Sequence, residues 1–449
     1  MRIRFWGTRG SLAKPGPTTL RYGGNTACVE VRMADGTLVV LDCGTGSHEL
    51  GQQLVASDEQ PVRGHLLITH THWDHIQGFP FFAPLFVPGY EWDVYAPGCL
   101  GQRLESALAG QMEYAYFPVS LAQLGATIRY HDLLEGSFEI GDVRVTTHYM
   151  GHPGLALGYR LEVGGVALVY AVDHEPHARC PPGPAGSTTA TTIHWEDRRH
   201  VEFLAGADLV IHDSQYTSEE YPKRVGWGHS PVEWVVDYAS AAGAKQLALF
   251  HHDPMRDDDS LDLVLEACRQ RAAAVGNLEV FAAAEGQVVE LPERATSAPP
   301  KPAAAAAVDV PDGVSSEQPC VLICDDDPNV VRLLAATLRH EGLRLVVAND
   351  GESALRMARA ERPALVLLDW RMPGTDGLEV CRALRAEDDP RLRDVPVVLV
   401  TAQTGPESTA AGFEAGVTDY LTKPFTPPHV RARVRAWLLR AGAGSAPER

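Results

Sequence analysis

Four side chains able to ligate a metal, His70, His72, Asp74 and His75, fall within the six residues His70-Thr-His-Trp-Asp-His75, directly after the apolar run Leu66-Leu-Ile68. A regular helix or strand cannot aim three imidazoles and a carboxylate at one ion, so the segment must be a loop at a strand end that shares its ligands between two ions. The chemistry expected of such a centre is two-metal hydrolysis. A lone histidine is ordinarily a hydrogen-bonded core or surface residue, but clustered candidates at this spacing point the other way.

Later strand ends offer further ligands. His152 follows the strand-like stretch Val143 to His148, Asp173 ends the apolar run Val166-Ala-Leu-Val-Tyr-Ala-Val172, and His251 follows Gln246-Leu-Ala-Leu-Phe250. A carboxylate such as Asp173 can bridge two cations through its two oxygens. His252, next to His251, is an alternative at the last position. These residues resemble the metallo-β-lactamase superfamily over residues 1 to 292, and more closely its phosphodiesterase branch, which includes ribonuclease Z and the cyclic-phosphate phosphodiesterases. The resemblance implies an αββα sandwich with His70, His72 and His152 on one ion, Asp74, His75 and His251 on the other, and Asp173 between them. Asp74 would also serve in catalysis. The imidazole and carboxylate set, without thiolate, suits Zn, and Mn, Fe or Ni would be accepted too.

Leu209-Val-Ile-His212-Asp213-Ser and Gly228-His229-Ser230 look like the ribonuclease Z segments that supply a proton donor, which makes His229 the general-acid candidate. Ser230-Pro231-Val-Glu233 also reads as a capped helix start, so His229 is in addition the neighbour of a helix N-terminus. Asp42, ending the apolar Leu38-Val-Val-Leu41, is expected to orient a ligand imidazole, as are His212 and Asp213. Trp6-Gly-Thr-Arg-Gly-Ser11 and Arg21-Tyr-Gly-Gly-Asn-Thr26 match the same branch. Their glycines would let backbone amides approach a phosphate, although ordinary turns use the same residues. A flavodiiron oxidoreductase would carry Glu where His72 stands, and glyoxalase II lacks the Gly-Thr-Arg-Gly-Ser and Gly-His-Ser segments.

Ribonuclease Z clamps tRNA with a long arm between its third histidine and bridging aspartate, and here Asp173 follows His152 by only 21 residues. The chain has 39 Lys and Arg against 58 Asp and Glu, a formal charge of −19, with no basic run. Large nucleic acid, whose binding rests on phosphate neutralisation, is therefore not the expected partner. A small phosphodiester is, most simply a cyclic nucleotide or cyclic phosphate. Thioester or lactone hydrolysis, or a non-catalytic metal-binding adaptor, are the alternatives. Met112, Tyr114, Tyr116 and Phe117 form either an aromatic lid over a base or plain helix core.

After Leu291 the composition changes to a Pro- and Ala-rich stretch that reads as a linker over 293–318. Beyond it, Val321-Leu-Ile-Cys-Asp325-Asp326-Asp327, Ala364-Leu-Val-Leu-Leu-Asp369, Val397-Val-Leu-Val-Thr401 and Asp419-Tyr-Leu-Thr-Lys423 alternate with helical patterns. This is the signature of a small parallel α/β sheet with polar residues at its strand C-termini. These motifs resemble a response-regulator receiver domain, a doubly wound (βα)5 fold, over residues 319 to 441. The resemblance implies phosphorylation on Asp369 and Mg held by Asp325, Asp326 and Asp369. It also implies phosphoryl contacts from Thr401 and Lys423, an aromatic switch at Tyr420 and a cis peptide at Pro424. Asp327 fits a plain solvated acidic loop better than Asp326 does. A sensor histidine kinase or phosphotransfer protein would be the partner, and a homodimer is an open alternative. The residues after Met1 lack the apolar core of a signal peptide, no stretch is apolar enough to span a membrane, and the eight cysteines are scattered. A reducing cytoplasm is expected. No internal repeat is visible.

Overall fold

The computed structural model describes residues 1–57, 62–97, 104–176, 195–293, 318–339, 341–401, 415–423, 425, 430–431, 433–435 and 437–438. The body of the linker expected over 293–318, the Pro-rich stretch from Pro181 and the peptide at Pro424 lie outside them. The described residues fall into two compact units, 1–293 and 318–438.

In the first unit, β1 (Arg2–Gly7), β2 (Cys28–Arg32), β3 (Leu38–Leu41), α1 (Ser47–Ala56), β4 (Arg63–Leu67), α2 (Trp73–Ile76), β5 (Glu91–Pro97), α3 (Leu104–Gln111) and β6 (Thr127–Leu133) form one half. The other half is β7 (Gly136–Ile140), β8 (Val143–Tyr149), β9 (Leu157–Val163), β10 (Val166–Ala171), α4 (Trp195–Leu204), β11 (Leu209–Asp213), α5 (Val232–Ala241), β12 (Gln246–Phe250), α6 (Asp258–Val275) and β13 (Glu279–Ala282). A last strand, β14 (Val288–Glu290), returns to the first sheet.

The sheets run β14-β1-β2-β3-β4-β5-β6 and β7-β8-β9-β10-β11-β12-β13. Each passes from antiparallel pairings to parallel ones at its middle strand, β3 or β10. The topology thus repeats although the sequence shows no repeat. The inner faces meet where the Phe5 ring packs on Phe250 at 6.0 Å, and the Tyr159 hydroxyl donates to the Ile68 carbonyl across the interface at 2.6 Å. The outer faces are covered by helices, α1 and α3 on the first sheet and α4, α5 and α6 on the second. This is the expected αββα sandwich. β10 is buried at every residue, which explains its unbroken apolar run: it sits mid-sheet with both faces covered. β6, at a sheet edge, is only half-buried.

The aromatic segment divides. Leu104, Leu108 and Met112 enter the core beside the first sheet and Phe117 packs on Phe81 at 5.3 Å, whereas Tyr114 and Tyr116 are exposed. The second unit is β15 (Cys320–Cys324), α7 (Pro328–Leu338), β16 (Arg344–Ala348), α8 (Gly351–Glu361), β17 (Leu365–Asp369), α9 (Gly377–Arg385), α10 (Pro390–Arg393), β18 (Val397–Thr401) and β19 (Asp419–Thr422). Its five strands are all parallel in the order β16-β15-β17-β18-β19, with α8 and α9 on one face and α7 on the other. Among the described residues no helix is long and apolar enough to cross a membrane, and the six described cysteines are buried free thiols.

Candidate metal centre

The candidate ligands converge at the ends of strands from both sheets. His70 and His72 leave the end of β4, and the single turn of α2 turns Asp74 and His75 inward while Trp73 points out. His152 follows β8, Asp173 follows β10 and His251 follows β12. His70, His72, His152 and Asp173 can present one donor atom each within 4.8 Å of one another, and so can Asp74, His75 and His251.

Asp173 faces both groups. Its Oδ2 lies 3.4 Å from His70 Nε2 and 3.6 Å from His152 Nε2, and its Oδ1 lies 3.4 Å from His75 Nε2 and 3.0 Å from His251 Nε2. Asp74 Oδ2 is 3.1 Å from His251 Nε2 and 3.3 Å from His75 Nε2. The buried Nε2 atoms of His70 and His75 and Oδ1 of Asp173 meet their neighbours in the cluster, Asp74 and His251 included, in ion-pair contacts of 3.0 to 3.4 Å that lack hydrogen-bond geometry. Buried polar atoms without hydrogen bonds are uncommon, and these three are aimed at the centre of the donor cluster. The donor set therefore fits two divalent cations.

The backbone is strained at the same place. Among the described residues, five non-glycines have left-handed φ, and four of them, Ser11 (61°), Asp42 (58°), Asp173 (56°) and His251 (59°), lie in or against the site. The remaining partners hold the imidazoles. Asp42 Oδ2 accepts from His75 Nδ1 at 2.8 Å and from the Tyr170 hydroxyl at 2.9 Å, while Oδ1 accepts from the Thr69 amide at 2.7 Å. Gln215 Oε1 accepts from His251 Nδ1 at 3.0 Å, and the Gly228 carbonyl accepts from His152 Nδ1 at 3.1 Å. The Ser11 amide donates to Asp74 Oδ2 at 2.7 Å.

Titration follows burial and charge. Burial lowers His152 to about 3 and takes His70 well below the usual range, so both rings are neutral and available as ligands. Burial also opposes charge on His251, but Asp173 and Asp74 outweigh it and raise its pKa to about 10; His75 is raised in the same way. The carboxylates of Asp74 and Asp173 are held below the usual range despite burial by those imidazoles. Positive charge is thus favoured beside Asp74 and Asp173 and disfavoured on His70 and His152.

His229 stacks on His251 with ring centroids 5.1 Å apart, and its Nδ1 lies 2.9 Å from Asp213 Oδ2. Burial disfavours its charged form, but Asp213 and Asp173 raise its pKa above the ordinary value. His212 is not in this shell, contrary to the sequence expectation. Its Nδ1 meets the Asp213 carbonyl at 2.7 Å and its Nε2 meets His200 Nε2 at 2.8 Å, on the helix side of the sheet. His252 also turns away, with Nε2 on the Ala283 carbonyl at 2.9 Å. Gly10 and Gly228 serve the rings, because a Cβ on either would collide with His251 or His152. Thr69, Tyr170, Gln215, Gly10 and Ser11 had no place in the sequence-derived site; only the Gly-Thr-Arg-Gly-Ser motif signalled the last two.

In the second unit Lys423 Nζ bridges Asp325 Oδ2 at 2.7 Å and Asp369 Oδ1 at 2.6 Å, at the strand C-termini. Burial raises the Asp369 pKa against the opposing pull of Lys423. Thr401 is buried and its carbonyl accepts from the Lys423 amide at 2.8 Å. Asp326 is exposed beside them, and Asp327 caps α7 by accepting from the Asn329 amide. Tyr420 is buried, its ring 6.5 Å from that of Trp370.

Residues 37–252 match the model of the beta-lactamase superfamily domain and residues 321–435 that of the response regulator receiver domain. The chain therefore carries a beta-lactamase superfamily domain followed by a response regulator receiver domain. The DNA-binding response regulator MtrA of Mycolicibacterium smegmatis is 45% identical over 120 residues, 27% of this chain and 50% of that protein. The chain spans about half the length of the curated relatives it matches. Among solved structures, the metallo-beta-lactamase fold protein YhfI of Bacillus subtilis is similar at 18% identity and a TM-score of 0.45, over 64% of this chain and 99% of that one. The short form of human tRNase Z is similar at 21% identity and a TM-score of 0.44, over 65% and 100%.

Proposed function

We propose that the N-terminal domain is a dinuclear metal-dependent phosphodiesterase acting on a small nucleotide, cyclic nucleotide or cyclic phosphate, and that the receiver couples it to a phosphorelay. The observation that carries this reading is the division of donors about Asp173. His70, His72 and His152 would hold one ion and Asp74, His75 and His251 the other, with Asp173 serving both. Bound there, two divalent ions would lower the pKa of water and neutralise the non-bridging phosphate oxygens. Zn fits the donors, and Mn, Fe or Ni would be accepted. His229 supplies the proton that the leaving alkoxide requires: Asp213 fixes a proton on Nδ1 and raises the imidazole's pKa, which leaves Nε2 to donate. Asp74, held by the Ser11 amide, doubles as a catalytic carboxylate beside His251. In the receiver, Asp325, Asp326 and Asp369 would hold Mg. Asp369 would take the phosphoryl group from a histidine kinase or phosphotransfer protein, Thr401 and Lys423 would contact its oxygens, and Tyr420 would respond.

The test is cleavage of bis-p-nitrophenyl phosphate and a panel of 2′,3′- and 3′,5′-cyclic nucleotides by the metal-loaded chain. Asp173→Ala is expected to abolish cleavage. His229→Ala is expected to retain both metals and lose about 10²- to 10⁴-fold in kcat. No cleavage of any member with two metals bound would sink the reading and leave a thioester hydrolase or a silent signalling module.

A further inference from the structure

The loop that carries His229 is fastened by Glu175, whose carboxylate accepts from the Tyr221 hydroxyl at 2.9 Å, the Gly226 amide at 2.6 Å and the Gly228 amide at 2.8 Å. Both glycines have left-handed φ, 87° and 88°, so the loop is tightly turned between its anchors. Arg224 and Trp227 of this loop pack against each other. Trp227 is 57% exposed. The Arg224 guanidinium carbon lies 5.3 Å from the centre of the Tyr216 ring and 5.0 Å from that of Trp227. Tyr216 is buried and meets the His229 ring edge-on at 5.8 Å. One aromatic ring therefore separates a fixed cation from the proton-donor candidate.

Arg224 has no carboxylate partner among the described residues, whereas Arg256 pairs with Glu220 at 2.6 Å and Arg271 with Asp237 at 2.7 Å. In a chain with a formal charge of −19, a half-buried guanidinium gripped by two rings and left without a counter-ion is pre-organised for an anion from outside. We propose that Arg224 binds a second phosphate of the substrate, on the side of the leaving group that His229 protonates, and that Trp227 stacks on the adjoining base. The assignment rests on the phosphodiesterase reading and narrows it. Substrates with a phosphate beyond the scissile one, such as a 5′-phosphorylated or cyclic dinucleotide, are favoured over cyclic mononucleotides.

The experiment compares binding, by calorimetry on the metal-loaded full chain, of the non-cleavable methylenephosphonate analogues of a deoxyadenosine dinucleotide with and without a 5′-phosphate. The wild type is expected to bind the phosphorylated analogue about tenfold more tightly. Arg224→Gln is expected to bring the ratio close to one, and Arg224→Lys to restore part of it. Equal binding of the two by the wild type, binding of neither, or a preference that survives in Arg224→Gln would overturn the assignment. Cleavage of the natural dinucleotides is scored separately. A wild type that shows the preference but cleaves neither removes the phosphodiesterase reading and leaves Arg224 as an anion site.

Discussion

Asp42 is fully buried and accepts from the Thr69 amide and hydroxyl, the Tyr170 hydroxyl and His75 Nδ1. Asn at this position would present an amide donor to groups that need an acceptor, releasing the His75 ring and leaving Tyr170 unpaired. Asp42→Asn is therefore expected to weaken the ion held by Asp74, His75 and His251 by about 10- to 100-fold, and the His70, His72 and His152 ion far less. Competition with a chelator on the metal-loaded chain would resolve the two steps, and equal loss in both would contradict this role. The strand end after Leu41 marks Asp42 in the sequence, whereas a strand end alone does not place His212. Side chains alternate along a strand, so if Asp213 faces the metals, His212 must share the opposite face with Val210, which packs among the helices. Gln215 was illegible for a different reason: an amide that holds an imidazole by one hydrogen bond leaves no pattern of type or spacing.

At the scale of elements, long apolar runs made the buried parallel strands readable, and the ligands at their ends followed. The mixed aromatic segment after α3 was not readable, because the same residue types serve a core helix and an exposed turn. Helix α4 depends on a contact that no periodicity foretells. Glu135, between β6 and β7, accepts from Arg199 of α4 and meets His148 Nδ1 of β8, both at 2.6 Å. Burial would raise the Glu135 pKa, yet His148 and Arg199 outweigh it and hold it below the usual value. Its folded pKa lying under its unfolded one, Glu135 contributes stability above the unfolded value of about 4.3, and that contribution is lost as pH falls through the folded value. Glu135→Gln is expected to cost about 1–3 kcal/mol at pH 7, a gap that closes as both chains are titrated below the carboxylate range. Urea denaturation at a series of pH values measures this, and a gap that stays constant into acid would show that shape, not charge, fastens the helix.

For the whole molecule, two separate cores each carry their own acidic ligand cluster at strand ends, one built of imidazole and carboxylate and the other of carboxylates beside a lysine. The first suits borderline metals and the second a hard cation such as Mg. Bound ions stabilise only the core that holds them, by about 4 kcal/mol when the free ion exceeds its dissociation constant a thousandfold. Thermal unfolding of the full chain is thus expected to show two transitions with different metal dependence. A chelator that prefers transition metals to Mg should lower the transition of the sandwich and leave the receiver's in place. Adding Mg to the stripped chain should raise the receiver's transition, and Asp369→Asn should abolish that rise, since it removes one carboxylate charge from the cluster that Lys423 already half neutralises. Scanning calorimetry with and without each ion distinguishes the transitions. A single transition that moved as one with either ion would mean that the two cores unfold together and that metal at one site is felt at the other.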